Sequence, residues 1–509
     1  MRNALNATAV SLVFLLAWSV LGADQPQWGE AWTRNMVSNE KGLPESFDVK
    51  TGQHVKWTAA LGTQTHSTPI VAHGRVYIGT NNGAPRDPKH QGDRGVLMCF
   101  EEKTGRLLWQ LVVPKREEDP YFDWPECGIA SPATVEGDRV YIVSNRGEVM
   151  CLDALGMANG NDGPYTNEAA HCIPRQADAP SSTNQRVPTN VSRLDADILW
   201  LFDLTQEAGI WSHDAAHSSI LIHGDYLFLN TATGVDNTHK RIRTPDAPSL
   251  VVLDKRTGRL VARDEEHIAP NIFHSTWSSP SLAKVEGSPL IFFGGGNGIL
   301  YAFDSRIASG TADTSPQVLR KVWQFDFDPG APKTNVHKFN GNRREGPSNF
   351  YSMPVFQDGH IYIAGGGDLW WGKNEAWLKC IDATKKQSEA GTRLVWSYPL
   401  QKHVLSTPAV YKGMVFIADC GRKFHCLDAK TGQAFWTHDV EGEVWASPLV
   451  ADGKVYLGTR SGAFYIFAAE KQKRLLSSTQ LEGPISATAT AANGVLYVAT
   501  MSHLYALSL

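Results

Sequence analysis

Along most of the chain, apolar residues fall in short runs broken by glycine-bearing turns, not at the three- and four-residue spacing of an amphipathic helix. One arrangement of these runs repeats. Its clearest copy reads Leu405-Ser-Thr-Pro-Ala-Val-Tyr-Lys-Gly413, Met414-Val-Phe-Ile-Ala418, Lys423-Phe-His-Cys-Leu-Asp428 and Ala429-Lys-Thr-Gly-Gln-Ala-Phe-Trp436. Turns divide it into four short strands that alternate or are continuously apolar, as half-buried strands are. The opening Ser/Thr-Pro returns at Thr68-Pro69, Ser131-Pro132, Ser279-Pro280 and Ser447-Pro448. Met353-Pro354 holds the same place, and weaker copies stand at Ser218-Ser219 and Ser486-Ala487. Successive starts lie from about 40 residues (Thr407 to Ser447) to nearly 90 residues (Ser131 to Ser218) apart. Four strands per repeat at this period predict an all-β fold: an eight-bladed β-propeller of four-stranded antiparallel blades.

A large ring closes most fourth strands, at Trp57, Trp109, Trp200, Trp323, Trp396 and Trp436. Each blade has an apolar face to bury on its neighbour, and a flat ring near the outer strand can wedge between blades, covering roughly 200 Å². These six are therefore the predicted blade-docking residues. The last repeat stops at its third strand, Leu504 to Leu509, and a fourth appears at the other end as Phe47-Asp-Val-Lys-Thr-Gly-Gln-His-Val-Lys-Trp57. Pairing the two ends closes the ring and removes an exposed edge. The expected division is a signal peptide over 1–23, an arm over 24–47 and the propeller over 48–509. Insertions are expected near 154–197, 233–248, 326–350 and 366–377.

Composition adds limits. A chain of 509 residues exceeds one ordinary compact domain, a limit repeat folds escape because each repeat packs only on its neighbours. With 48 basic and 52 acidic residues there is no basic field, so no nucleic-acid partner is expected. Arg2, the apolar run Ala9 to Val20 and the small Gly22 and Ala23 read as a cleaved signal peptide. No other stretch is apolar enough to span a bilayer. The expectation is an exported protein, periplasmic or extracellular, with no integral membrane segment after cleavage, and a monomer. Of seven cysteines, Cys99, Cys151, Cys380 and Cys426 recur within strands. Cys127 and Cys172 lie in irregular segments, where an oxidising compartment would allow a disulfide.

The segment Leu427-Asp-Ala-Lys-Thr-Gly-Gln-Ala-Phe-Trp436 resembles the tryptophan-docking repeat of the pyrroloquinoline-quinone (PQQ) repeat superfamily, with partial copies at Phe100 to Trp109 and Leu253 to Gly258. Gly234-Val-Asp, Ala247-Pro-Ser249 and Gly365-Gly-Gly-Asp-Leu-Trp-Trp371 resemble large exported PQQ-like propellers of environmental bacteria, notably planctomycetes. The resemblance implies the propeller. It leaves two activities open, because the superfamily holds both quinone-dependent alcohol dehydrogenases and non-enzymatic scaffolds such as the lipoprotein of the outer-membrane barrel-assembly machinery. The dehydrogenases carry an adjacent cysteine pair and a calcium or lanthanide held by Glu, Asn and Asp. This sequence has no adjacent pair of cysteines and no Cys-x-x-Cys-His haem motif.

Function in such a fold gathers on the loops entering the innermost strands and on those joining second to third strands, which share one face. The entering loops hold His66, His213, His217, His274 and His403, with Glu126, Asp214, Trp277 and Trp445 nearby. Imidazole and carboxylate groups converging there would suit a divalent metal or acid–base work, although the spacings match no standard zinc motif. A quinone would need stacking rings and cations for its carboxylates, for which Trp277, Trp445, Arg343 and Arg344, with Asp368, are the candidates. The insertions add His239 with Asp236, Arg241 and Arg243, and Trp370, Trp371 and Lys373 beside Asp368. The leading expectation is a non-catalytic binding or scaffold propeller whose partner is a protein or a small-molecule or carbohydrate ligand. The alternative is a PQQ- or metal-dependent oxidoreductase using the same face, with PQQ and calcium as the cofactors the resemblance implies.

Overall fold

The computed structural model of the chain describes residues 23–116, 122–172, 190–214, 218–308, 315–385 and 392–509. The expected signal peptide therefore lies almost wholly outside the described residues. Eight antiparallel sheets of four strands each form the blades of a β-propeller. Blade 1 runs from Ile70–Ala72 at the axis to Leu107–Pro114 at the rim, and blade 8 begins at Thr490–Ala492. Ring closure is as the ends of the sequence predict. Val55–Ala60 pairs antiparallel with His503–Leu507, placing Trp57 opposite Ala506.

The tryptophan positions work as expected, and the structure shows why glycine accompanies them. Trp57 Nε1 donates to Glu102 O at 2.9 Å, Trp109 to Ala154 O at 3.0 Å and Trp396 to Ala429 O at 3.0 Å, each on the next blade. Trp200 and Trp436 do the same to Lys255 O and Glu470 O. At Trp57, Trp200 and Trp396 the ring then lies on the Thr-Gly turn of that blade. A Cβ on Gly105 would stand 2.6 Å from Trp57, and one on Gly432 2.6 Å from Trp396, both at φ near +70°. Glycine is required there twice, for the left-handed backbone and for the room the indole takes. Trp323 differs: among the described residues its Nε1 has no hydrogen-bond partner, and the Arg393 guanidinium covers its ring at 4.3 Å.

The Ser/Thr-Pro starts have a second role. Met353 N–H donates to Thr407 Oγ1, Thr407 N–H to Ser447 Oγ, Ser447 N–H to Thr488 Oγ1 and Thr488 N–H to Thr68 Oγ1, at 2.9–3.3 Å. Ser67 Oγ reaches Ser131 O, Thr134 Oγ1 reaches Ile220 O, Ser219 N–H reaches Ser279 Oγ, and Ser278 Oγ reaches Ser352 O. Every blade is thus tied to the next around the axis. The hydroxyl satisfies a backbone group the neighbouring blade has buried, and the following proline adds no N–H of its own to satisfy. Two starts are corrected by this belt. Blade 8 uses Thr488, not Ser486-Ala487, and blade 3 uses Ser219. Without a proline to fix the place, the sequence pattern allows a slip of one or two residues.

The arm, not the blades, fills the axis. Gln25 bridges to Val71, Pro26 O accepts from Val135 N–H, and Trp32 Nε1 donates to Ile222 O. Leu282 N–H donates to Trp32 O and Phe356 N–H to Thr33 O, while Asn35 makes paired bonds with Val410. Val37–Ser38 adds a parallel strand to Leu449–Ala451, and Ser38 Oγ reaches Ala491 O. In under twenty residues the arm meets the inner strand of every blade in turn. At its centre Arg34, 0% exposed, donates to Pro280 O, Trp28 O and both oxygens of Ser219. These acceptors are neutral, and burial lowers the guanidinium pKa to about 9.

The belt is testable at one residue. Thr407→Val removes the acceptor of a buried N–H at nearly constant volume, so it should cost about 1–3 kcal/mol and lower the Tm. Thr407→Ser keeps the oxygen and should recover most of the loss in the same thermal melt.

Candidate functional site

At one end of the axis, the loops entering the blades and the 233–248 and 366–377 insertions surround a cavity of about 670 Å³. Its wall includes Trp28 from the arm, His66, Trp124, Asp214, His239 and His274. Trp277, Tyr351, Trp370, Trp371, Trp445 and Arg460 complete the aromatic side. Trp277 stacks on Tyr351 with ring centres 4.5 Å apart, and Trp445 lies between the His66 ring and the Arg460 guanidinium.

Three imidazoles meet at this wall. The ring centres of His213, His239 and His274 are 4.8–5.2 Å apart, and one ring nitrogen from each lies within 4.8 Å of the other two. His213 belongs to the loop entering blade 3, His274 to the loop entering blade 4, and His239 to the insertion joining the second and third strands of blade 3. Backbone bonds hold the three segments together. His213 N–H donates to Ala232 O, Val235 N–H to His274 O, Thr276 N–H to Thr233 O, and Ser275 Oγ to His213 O. Gly234 makes this approach possible: a Cβ there would lie 2.5 Å from His213 Cβ and 2.6 Å from His274 O. A short turn presents His239. Asp236 accepts from the N–H and Oγ1 of Thr238 and from Arg241 Nε, while Asn340 from the 326–350 insertion donates to His239 O.

Two carboxylates complete the group. Asp214 Oδ2 lies 3.8 Å from His274 Nε2 and 4.0 Å from His213 Nε2. Burial raises the Asp214 pKa to about 6, against the pull of His274. On the far side, His274 Nδ1 lies 2.8 Å from Asp368 Oδ2, which also accepts from the Tyr351 hydroxyl. Asp368 Oδ1 takes the N–H groups of Trp370 and Trp371. Burial pushes this carboxyl up, but His274 and these donors outweigh it and hold it at about 2. The same pairing raises the His274 pKa although burial opposes it, whereas burial and the neighbouring imidazoles drive His213 well down.

The expected candidates divide accordingly. His213, His274 and Asp214 come together. His66 reaches the cavity but stacks on Trp445. His403 is buried, its Nε2 2.9 Å from Lys373 O, outside the group. Glu126 is exposed at φ +62°, and its backbone carbonyl accepts from Asn81. His217 lies outside the described residues. Trp277 and Trp445 are cavity walls. Arg343 is no anion site: it donates to Leu369 O, Gly372 O and Trp370 O, bracing the 366–377 loop, and Arg344 is exposed. Asp368 is neither a stacking nor an anion group but the partner of His274. Cys127 and Cys172 form no disulfide. Both are free: Cys127 lines the cavity, while Cys172 ends the short helix Glu168–His171, its Sγ donating to Val112 O. Tyr351 was missed as a site residue, and His239 was offered only with the 233–248 insertion, apart from the entering-loop histidines. The usable signal for His239 was its place on a second-to-third-strand loop, the face it shares with His213.

A family model described as outer membrane protein assembly factor BamB matches residues 93–323 and 374–508. The chain belongs to this PQQ-repeat family. Among curated proteins, this PQQ-repeat chain is 24% identical over 444 residues to a lupanine 17-hydroxylase [cytochrome c] of Pseudomonas sp., covering 82% of this chain and 55% of that protein. It is 22% identical over 461 residues to quinohemoprotein alcohol dehydrogenase ADH IIB of Pseudomonas putida, covering 86% and 59%. It thus spans less than two thirds of the length of either relative. Among solved structures, a europium-containing methanol dehydrogenase matches at TM-score 0.60 and 11% identity, over 96% of this chain and 98% of that one. BamB from Moraxella catarrhalis matches at 0.51 and 13%, over 89% and 97%. At these identities the structures share the fold alone.

The Arg343 brace gives a direct expectation. Arg343→Ala removes three charge-assisted bonds and should speed amide hydrogen exchange at Trp370 and Trp371 by at least about tenfold, with exchange in the blade strands unchanged.

Proposed function

We propose that the protein is an exported propeller that binds a ring-shaped, hydroxyl-bearing small molecule of the saccharide class in its axial cavity. One observation carries this reading. Trp124, Trp370 and Trp371 are 48%, 42% and 39% exposed, and all three stand on the wall of the same cavity. Indole surface left in water and gathered in a recess is characteristic of a ligand site. Flat rings suit the apolar face of a sugar, and Gln64, Thr68, Asn237, Thr238 and Ser486 on the same wall suit its hydroxyl edge. The recess favours a small molecule over a protein partner, which would need a broad surface. Export is supported by the apolar segment Ala9 to Val20.

Quinone and calcium, the cofactors that the repeat resemblance implies, fit this wall poorly. Calcium takes oxygen ligands, but three of the groups converging here are imidazoles, with Asp214 the carboxylate that lines the cavity beside them. Asp368 is already engaged by His274, Tyr351 and two backbone N–H groups. Arg343 serves loop carbonyls, and Arg460 lies flat on Trp445.

Tryptophan fluorescence titrations with a panel of mono- and oligosaccharides, and with PQQ plus calcium, test the reading. A saccharide should quench saturably, and Trp370→Ala should weaken it about tenfold, the loss of one stacking contact. Silence towards every saccharide, or saturation by PQQ with calcium at micromolar concentration, would overturn it.

A further inference from the structure

We propose that His213, His239 and His274, with Asp214, bind one divalent transition-metal ion at the wall of the axial cavity. The proposal does not depend on the saccharide reading and would stand if no sugar bound.

The geometry has the features of a ligand set. Three nitrogens from three chain segments lie within 4.8 Å of one another, and backbone bonds and Gly234 fix the segments before any metal arrives. Each imidazole has a partner for its other side. His274 Nδ1 pairs with Asp368, and the backbones of Val235 and Asn237 are hydrogen-bond partners of His213 and His239. That outer support is how proteins orient metal-binding histidines, and it leaves the second nitrogen as a lone-pair donor. His274 Nε2 and Asp214 Oδ1 are buried side by side, and among the described residues neither has a hydrogen-bond partner. A cation between them would satisfy both, and an unpaired buried polar atom costs about 1–3 kcal/mol.

Donor chemistry selects the ion. Imidazole suits zinc, copper, nickel, cobalt and iron, while calcium and magnesium prefer oxygen. Three histidine ligands, of which His239 and His274 line the cavity with Asp214, leave a further position, the pattern of a reactive rather than a structural zinc site. Asp214 stands nearby as a fourth ligand or as an acceptor for a metal-bound water. The other histidine-containing group, Asp87, His90 and Asp195, already holds a cation: Lys89 Nζ is 2.6 Å from Asp195 and 3.4 Å from Asp87.

The test uses the full mature chain, stripped with chelator and titrated with cobalt(II), then zinc(II), by visible absorption and calorimetry. One equivalent of cobalt should bind, show ligand-field bands of a nitrogen-ligated ion, and be displaced by zinc but not by calcium. His239→Ala, on a half-buried loop, should weaken binding at least about 100-fold. Asp368→Asn, which alters the orientation of His274 without removing a ligand, should weaken it about 10–100-fold. Asp87→Asn should change nothing. Circular dichroism of the metal-free variants identifies any that fail to fold, and His274→Gln then serves as the replacement. No saturable cobalt binding, preference for calcium, or full affinity in folded His239→Ala and His274→Gln would each overturn the proposal.

Discussion

The constraint on which the molecule rests is satisfaction of the backbone at the axis. Eight small sheets converge there, and each brings the first residues of its inner strand to a place water does not reach. A buried N–H or C=O without a partner is costly, and a propeller has eight such places at once. Side-chain hydroxyls solve part of the problem by linking each start to the next blade, as Thr407 does between Met353 and Ser447. The arm solves the rest, laying its own backbone across the inner strands and placing Arg34 where several carbonyls converge. A guanidinium is the side chain with enough fixed donors for that position. Closure of the outer ring by Val55–Ala60 and filling of the axis are consecutive uses of one N-terminal segment.

This explains which parts of the fold were legible in the sequence. The blades could be read because each is built under the same demand, so the same residues recur: a hydroxyl before proline, a glycine under an indole, a tryptophan reaching the next carbonyl. The arm could not be read because it is used once. Nothing in Trp28 to Ser38 repeats, and its contacts lie hundreds of residues away, as Arg34 with Pro280 and Asn35 with Val410 show. Even inside the repeat, the starts without proline were displaced, at Ser219 and Thr488, because there the hydroxyl alone marks the position.

The site was legible in kind but not in membership. Histidines on entering loops were the right class of residue, and His213, His274 and Asp214 were among them. Entering loops from all around the ring line the cavity of about 670 Å³, but the imidazole cluster itself draws only on blades 3 and 4. The third imidazole comes from within blade 3 itself, on a loop whose turn depends on Asp236 and whose approach depends on Gly234. Neither dependence is visible until the loops are placed. Arg343 illustrates the opposite error: a cation in a polar insertion suggested an anion, yet loop carbonyls were its partners.

Asp368 joins the two halves of the cavity. One oxygen accepts from His274 and Tyr351, and the other caps the turn that carries Trp370 and Trp371. Tyr351 in turn stacks on Trp277. The orientation of an imidazole in the proposed metal set and the placement of the exposed indoles are therefore set by a single buried carboxylate. Removing its charge would disturb ion binding and ring binding together, whereas losing Trp370 removes an edge contact on His274 but leaves the Asp368 bond to that ring in place. That difference follows from the connectivity and not from distance. It makes the insertions of blades 3 and 5 the link between the two halves of the cavity, whose remaining wall comes from entering loops around the ring.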